Sequence, residues 1–146
     1  MRVAFVIFVF LVVGASFVSP QAYNRADWTH WIDEDRDCQD TRQEVLIAES
    51  LIPAVLTSNG CVVKSGKWVS VYDNVTFSDP KLMDIDHIVS LHDAYYTGGA
   101  KWGTKTKQRF ANNFANLVAV SARSNRKKSK KTPSEWLPVQ SAQCHY

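Results

Sequence analysis

The chain has 146 residues, 45% of them apolar, with five tryptophans and a formal net charge of +3. That length suits one domain with a modest core, and the composition excludes a disordered tail. The small net charge conceals a division: residues 23–100 carry 6 Lys and Arg against 13 Asp and Glu, whereas residues 101–146 carry 10 against 1. An acidic half beside a strongly basic one points to a polyanion gripped by the second and a metal ion held by the first.

Arg2 precedes an apolar run from Val3 to Val13 that Gly14, Ala15 and Ser16 close. A basic start, a hydrophobic centre and small residues describe a secretory signal, and about 11 to 13 apolar residues fall short of the roughly 20 that a membrane helix needs. We read residues 1–22 as a signal peptide, cleaved after Ala15 or Ser16, with Ala22 the poorer site because Pro20 lies at its −3 position. Residues 23–146 are then the mature domain, secreted to the extracellular space or periplasm with no stable membrane association. In an exported chain Cys38, Cys61 and Cys144 can form a disulfide, and the sequence leaves all three pairings open. A Cys38–Cys61 bridge would close a loop worth about 3 kcal/mol.

The aromatic and polar stretch Tyr23–Trp31 comes next, followed by the acidic run Asp33–Asp37, which lacks the glycine and terminal glutamate of an EF-hand. Asp40 predicts a helix start with Val45, Leu46, Ala48, Leu51 and Ile52 as the apolar stripe and Pro53 near the end. Short strands are expected at 61–63, 68–72 and 75–77, with turns at Ser65-Gly66 and Asp73-Asn74. The tryptophans are assigned to packing. Ser90–Tyr96 predicts a short helix ended by Gly98-Gly99. Thr104 is placed as the cap of a further helix through Phe114. A strand at Leu117–Val120 leads into a helix at Ser121–Lys128, and Thr132–Trp136 suits a capped turn with Pro133 at its first position.

Between these elements, Met83-Asp84-Ile85-Asp86-His87-Ile88-Val89 reads as a strand on which Asp84 and Asp86 share a face. His87 points the other way unless the strand ends or bulges there. An acid beside a histidine at a strand end suits a split task, one side chain on a metal and the other taking a proton. Asp84 reads as a supporting residue, His92 as part of a solvated helix face, and His30 and His145 as bystanders.

Asp84–Val89, followed by Asn116-Leu117 and Asn125-Arg126, resembles the ββα-metal motif of HNH endonucleases. The likeness is closer to a secreted group related to the C-terminal nuclease domain of GmrSD-type modification-dependent restriction enzymes. The residues that carry it include Asp37, Cys38, Thr41-Arg42, Trp102, Arg109-Phe110-Ala111-Asn112 and Pro133-Ser134-Glu135-Trp136-Leu137-Pro138, so it spans nearly the whole mature chain. The sequence departs from the pattern at Ser90, where proline is common, at His92, and at Lys127-Lys128-Ser129-Lys130, where Ser-Lys-Gly-Asp is frequent.

The resemblance implies a small single α+β domain built on a ββα-metal motif, with extra helices and short strands. It implies His87 as general base, with an ordinary pKa near 6.5 suited to neutral pH. Asp86 and Asn125 would bind one divalent cation, Mg²⁺ first and Mn²⁺ as the alternative. Asn116 would orient His87 through the backbone, and Arg126 or Lys128 would steady transition-state charge. The basic segment, represented by Lys101, Lys105, Lys107, Arg109, Arg123, Lys127, Lys128 and Lys130, would grip phosphates with little sequence preference. The expectation is a monomeric, secreted, metal-dependent endonuclease acting on nucleic acid, DNA ahead of RNA. Its alternative is a non-catalytic nucleic-acid-binding or toxin-type protein on the same fold.

Overall fold

The structure is a computed structural model that describes residues 21–145, with side chains as far as residue 143. The apolar run expected to be a signal peptide lies outside the described residues, as do the side chains of Cys144 and His145. In chain order come α1 (Thr41–Ala48), β1 (Val55–Leu56), β2 (Val63–Ser65), β3 (Trp68–Val69), β4 (Thr76–Phe77), β5 (Met83–His87), α2 (Leu91–Tyr96), α3 (Thr104–Ala111), β6 (Leu117–Ser121) and α4 (Ala122–Lys128). This is the expected small α+β domain. Its strands form three separate antiparallel ladders, β1 with β2, β3 with β4 and β5 with β6.

The β5–β6 ladder is the longest and runs without a bulge from Met83↔Ser121 to His87↔Leu117. Both strands are buried along most of their length, which is why apolar residues flank Asp84 and Asp86 so closely. Chain reversal into α4 is immediate. Ser121 caps that helix by accepting from the Ser124 amide at 3.2 Å, and the Ser124 hydroxyl donates to Asp73 Oδ2 at 2.8 Å. An acid near this helix start also suits the positive end of the helix dipole. Burial pushes the Asp73 carboxyl up, but the hydroxyls of Ser121, Ser124 and Ser70 outweigh it and hold the group below its usual range.

Two apolar clusters flank the ladder. Val45 and Leu46 of α1 join Trp68, Met83, Ile85 and Leu117 in the first, while Trp28, Leu91, Ala94, Tyr95 and Ala111 form the second. Burial of these side chains supplies most of the driving force, at roughly 25 cal/mol per Å² of apolar surface. The Trp68 indole N–H is satisfied by the Leu46 carbonyl at 2.8 Å. Asp40 caps α1 through the Gln43 amide at 3.0 Å, as its position predicts. Of the three cysteine pairings left open, Cys38–Cys61 is formed.

Several boundaries differ from the sequence expectation. The helix α1 stops at Ala48, so Leu51 and Ile52 leave its stripe and stand exposed. The cause is a competing backbone pairing, in which the Leu51 amide donates to the Lys67 carbonyl at 2.7 Å. Gly103, not Thr104, occupies the cap position of α3, and that helix ends at Ala111 rather than reaching Phe114. The strand expected at 68–72 is only two residues long, because the chain turns at once through Ser70–Asn74, with Asn74 at φ 57°. Gly98 does end α2 as expected, at φ 131°, a conformation glycine adopts without steric penalty.

Candidate active site

Asp84 and Asp86 lie two residues apart on a strand, and Asn125 and Lys128 lie three apart on a helix, so each pair presents one face. The two faces meet. Asn125 Nδ2 donates to Asp84 Oδ2 at 3.0 Å, and Lys128 Nζ pairs with Asp86 Oδ2 at 2.8 Å. The Tyr72 hydroxyl donates to the same Asp86 oxygen at 2.7 Å, and Trp136 braces the Tyr72 ring at 4.9 Å between centroids. Lys128 also donates to the His87 carbonyl at 3.0 Å, tying α4 to the end of β5.

These contacts decide which atoms remain available. A carboxylate only accepts, so the amide NH₂ of Asn125 must face Asp84, which turns its carbonyl oxygen outward. Asp86 engages Oδ2 twice, whereas its Oδ1 takes no hydrogen bond among the described residues. Asp86, Asn125 and His87 line one cleft of about 440 Å³. Two hard oxygens in a polar cleft fit a small divalent cation of the Mg²⁺ or Mn²⁺ type, which takes oxygen ligands and retains several waters.

His87 is only 4% exposed, its Nε2 lies 2.8 Å from the Ala111 carbonyl, and its ring stacks on Trp31 at 5.9 Å. A carbonyl cannot donate, so Nε2 carries the proton of the neutral ring and Nδ1 keeps a free lone pair. Trp31 packs against the first apolar cluster and Ala111 belongs to the second, so the imidazole is held between both. Burial lowers its pKa from 6.5 to about 4; the Ala111 carbonyl and Asp86 oppose the shift, and Arg25 and His30 add to it. The ordinary value near 6.5 expected from sequence is therefore corrected downward. Asn116 clamps the segment after His87, its Oδ1 accepting from the Val89 amide at 2.8 Å and its Nδ2 donating to the Val89 carbonyl at 3.1 Å.

The cations expected to form one grip divide. Arg126 and Lys130 are exposed on the wall of the cleft, whereas Lys105 and Arg109 line a separate depression with Ile32 and Glu34. Lys101, Arg123 and Lys127 are exposed. Two assignments need correction. Lys128 is 0% exposed and cannot meet a phosphate, because its ammonium is consumed by Asp86 and the His87 carbonyl. Lys107 turns inward to Asp27 at 3.9 Å and to the rings of Trp28 and Tyr95, each at 5.8 Å.

Sequence reasoning passed over four contributors. The sequence reading places Tyr72 only within an expected strand and Trp31 in packing, gives Arg25 no role, and treats His30 as a bystander, although its ring lies 6.3 Å from that of His87. Arg25 Nη2 approaches His30 Nε2 at 3.4 Å and lines the cleft. One signal for the lysine was present: Asp84 and Asp86 two apart on a strand match Asn125 and Lys128 three apart on a helix. The exposed carboxylates of Asp33, Asp35 and Asp37 also come within 4.8 Å of one another, with Asp33 and Asp37 accepting amides of their own loop.

The family model for the C-terminal domain of GmrSD restriction endonucleases matches residues 42–141, a span that contains β5, β6, α4 and every residue of the Asp84–Asn125 and Asp86–Lys128 contacts. The chain belongs to the GmrSD C-terminal domain family. An uncharacterized secreted protein of Arthroderma benhamiae is 37% identical over 127 residues, covering 85% of this chain. The chain spans 61% of the length of that relative. No solved structure matches the chain. Among the described residues no helix is long and apolar enough to cross a membrane.

Proposed function

We propose that this GmrSD-family domain is an HNH-type endonuclease that hydrolyses phosphodiester bonds, in DNA ahead of RNA, using one divalent cation. The observation that carries the reading is that Asp86, Asn125 and His87 line one cleft, with Asp86 Oδ1 and His87 Nδ1 taking no hydrogen bond among the described residues.

His87 takes a proton from the attacking water at Nδ1, and the Ala111 carbonyl keeps the ring oriented while positive charge develops on it. Trp31 prevents the ring from turning away, and Asn116 fixes the backbone that follows it. Asp86 and Asn125 would hold the cation, and Lys128 and Tyr72 hold Asp86. The bound cation supplies Lewis-acid stabilisation of the charge that builds on the phosphoryl and leaving oxygens. Arg126 reaches the same charge from the exposed side of the cleft. Substrate is retained by exposed lysines and arginines that contact phosphates, which predicts weak sequence preference and steep salt dependence.

The test is nicking of supercoiled plasmid by disulfide-intact protein at low salt, with Mg²⁺, with Mn²⁺ and with EDTA. Nicking that requires the cation and is lost in His87→Ala is expected. Intact plasmid, and intact single-stranded DNA in the same buffers, under all three conditions would remove the endonuclease reading in favour of a nucleic-acid-binding protein.

A further inference from the structure

The wall of the cleft continues past the reacting atoms. His92 of α2, Ser129 and Lys130 line both the cleft that holds His87 and an adjoining one of about 410 Å³ bounded by Tyr96, Lys131 and Thr132. One side of this joined groove is aromatic. Tyr23 meets His92 edge-on at 5.2 Å, and His92 meets Tyr96 at 4.8 Å with their planes 49° apart. Tyr95, itself buried, braces Tyr96 edge-on at 5.1 Å. Tyr96 is nonetheless 63% exposed, a large ring held in place and left open to solvent.

The lining is also cationic. Arg126 and Lys130 stand exposed along the first part of the groove, which Arg25 also lines, and Lys131 follows along the second. Two acids also line the second part. Asp93 sits in the first turn of α2, and Glu135 folds back on its own turn, accepting from the Thr132 amide at 2.9 Å. Four cations against three acids, of which Asp86 is already paired with Lys128, leave the groove suited to a polyanion that also offers flat rings.

We propose that this groove is a stacking subsite for unpaired nucleobases beside the scissile phosphate, so that the preferred substrate is single-stranded polynucleotide. The inference rests on the nuclease reading for the phosphate's position but concerns binding alone. In a duplex the bases are stacked on one another and their faces are closed to Tyr96. In a single strand each base has a free face, and an aromatic ladder with cations along the same groove is how sequence-tolerant single-strand binding is built. The His92 ring links Tyr23 to Tyr96.

The test separates binding from cutting. Fluorescein-labelled single-stranded DNA, single-stranded RNA and duplex DNA of one sequence are titrated with the protein in EDTA at fixed salt, followed by anisotropy. The single strands should bind tighter than the duplex. Tyr96→Ala should weaken single-strand binding about tenfold and bring its ratio to the duplex toward one, whereas Tyr96→Phe should keep the preference. The single-stranded sugar that gains more from Tyr96 identifies the better strand. Equal affinity for single strand and duplex, or a Tyr96→Ala protein with an unchanged ratio, overturns the subsite. Absent cleavage of plasmid and of single-stranded DNA and RNA with Mg²⁺ or Mn²⁺, alongside a Tyr96-dependent single-strand preference, would overturn the nuclease reading and leave the subsite standing.

Discussion

Lys128, with no exposed surface, places its ammonium 2.8 Å from Asp86 Oδ2. Removing one member of a buried ion pair leaves the other charged and unpaired, at a cost on the order of 3–5 kcal/mol. Lys128→Met should therefore lower stability in urea by about that amount, and adding Asp86→Asn should recover part of it. Strict additivity of the two single changes would show that the pair is not coupled. The same burial separates Lys128 from Lys130: Lys130→Ala should reduce the salt slope of DNA binding by about 1, and a stable Lys128 variant should not.

The buried His87 ring sets the pH response. Its folded pKa lies at about 4, below the 6.5 of the free side chain. The base stays neutral down to that value, so cleavage should hold its rate from pH 8 to about 5 and fall only below, with no acid limb near 6.5. Stability moves with the opposite reference. Between about 4 and 6.5 the unfolded chain binds the extra proton, so His87 contributes stability that is complete above 6.5 and lost as pH falls through this window, on the order of 3 kcal/mol in all. Urea unfolding of the wild type and His87→Gln at pH 7 and 5 checks this, since over that interval only the wild type should lose about 2 kcal/mol of it.

Asp84 acts through Asn125. Its carboxylate holds the amide NH₂ at 3.0 Å and so presents the carbonyl oxygen to the cleft. Asp84→Ala frees the amide to turn. The Mn²⁺ concentration giving half-maximal cleavage should rise 10- to 100-fold, the usual effect of removing a group that orients a metal ligand. Asn125→Ala should raise it at least as far. An unmoved midpoint in both would take Asn125 out of the ligand set.

The Cys38–Cys61 bridge is not among the residues that line the cleft and serves the fold. Paired Cys38→Ser and Cys61→Ser changes should lower stability by about 3 kcal/mol in the chain-entropy estimate. Cleavage per folded molecule should stay near the wild-type rate, measured well below the lowered Tm.

The sequence made the ββα unit readable because its signals are local. Alternation marks β5, Ser121 and Ser124 mark the start of α4, and the Asp86-His87 doublet marks the strand end. What it could not show depends on contacts remote in sequence. Tyr72 reaches Asp86 across 14 residues, Lys128 reaches His87 across 41, and the Ala111 carbonyl reaches His87 across 24. A lysine in a basic run looks like solvated surface until a buried carboxylate is found beside it. Likewise, the loss of Leu51 from α1 follows from a pairing with Lys67 that no helix signal reports.

The unbroken register of β5 against β6, ending at His87↔Leu117, leaves two stretches of the gene rigid in length. A codon gained or lost within either strand would exchange inward and outward side chains beyond it, turning the imidazole toward the helix and the carboxylates away from it. Lineages of this domain should therefore keep both strands free of insertions and deletions.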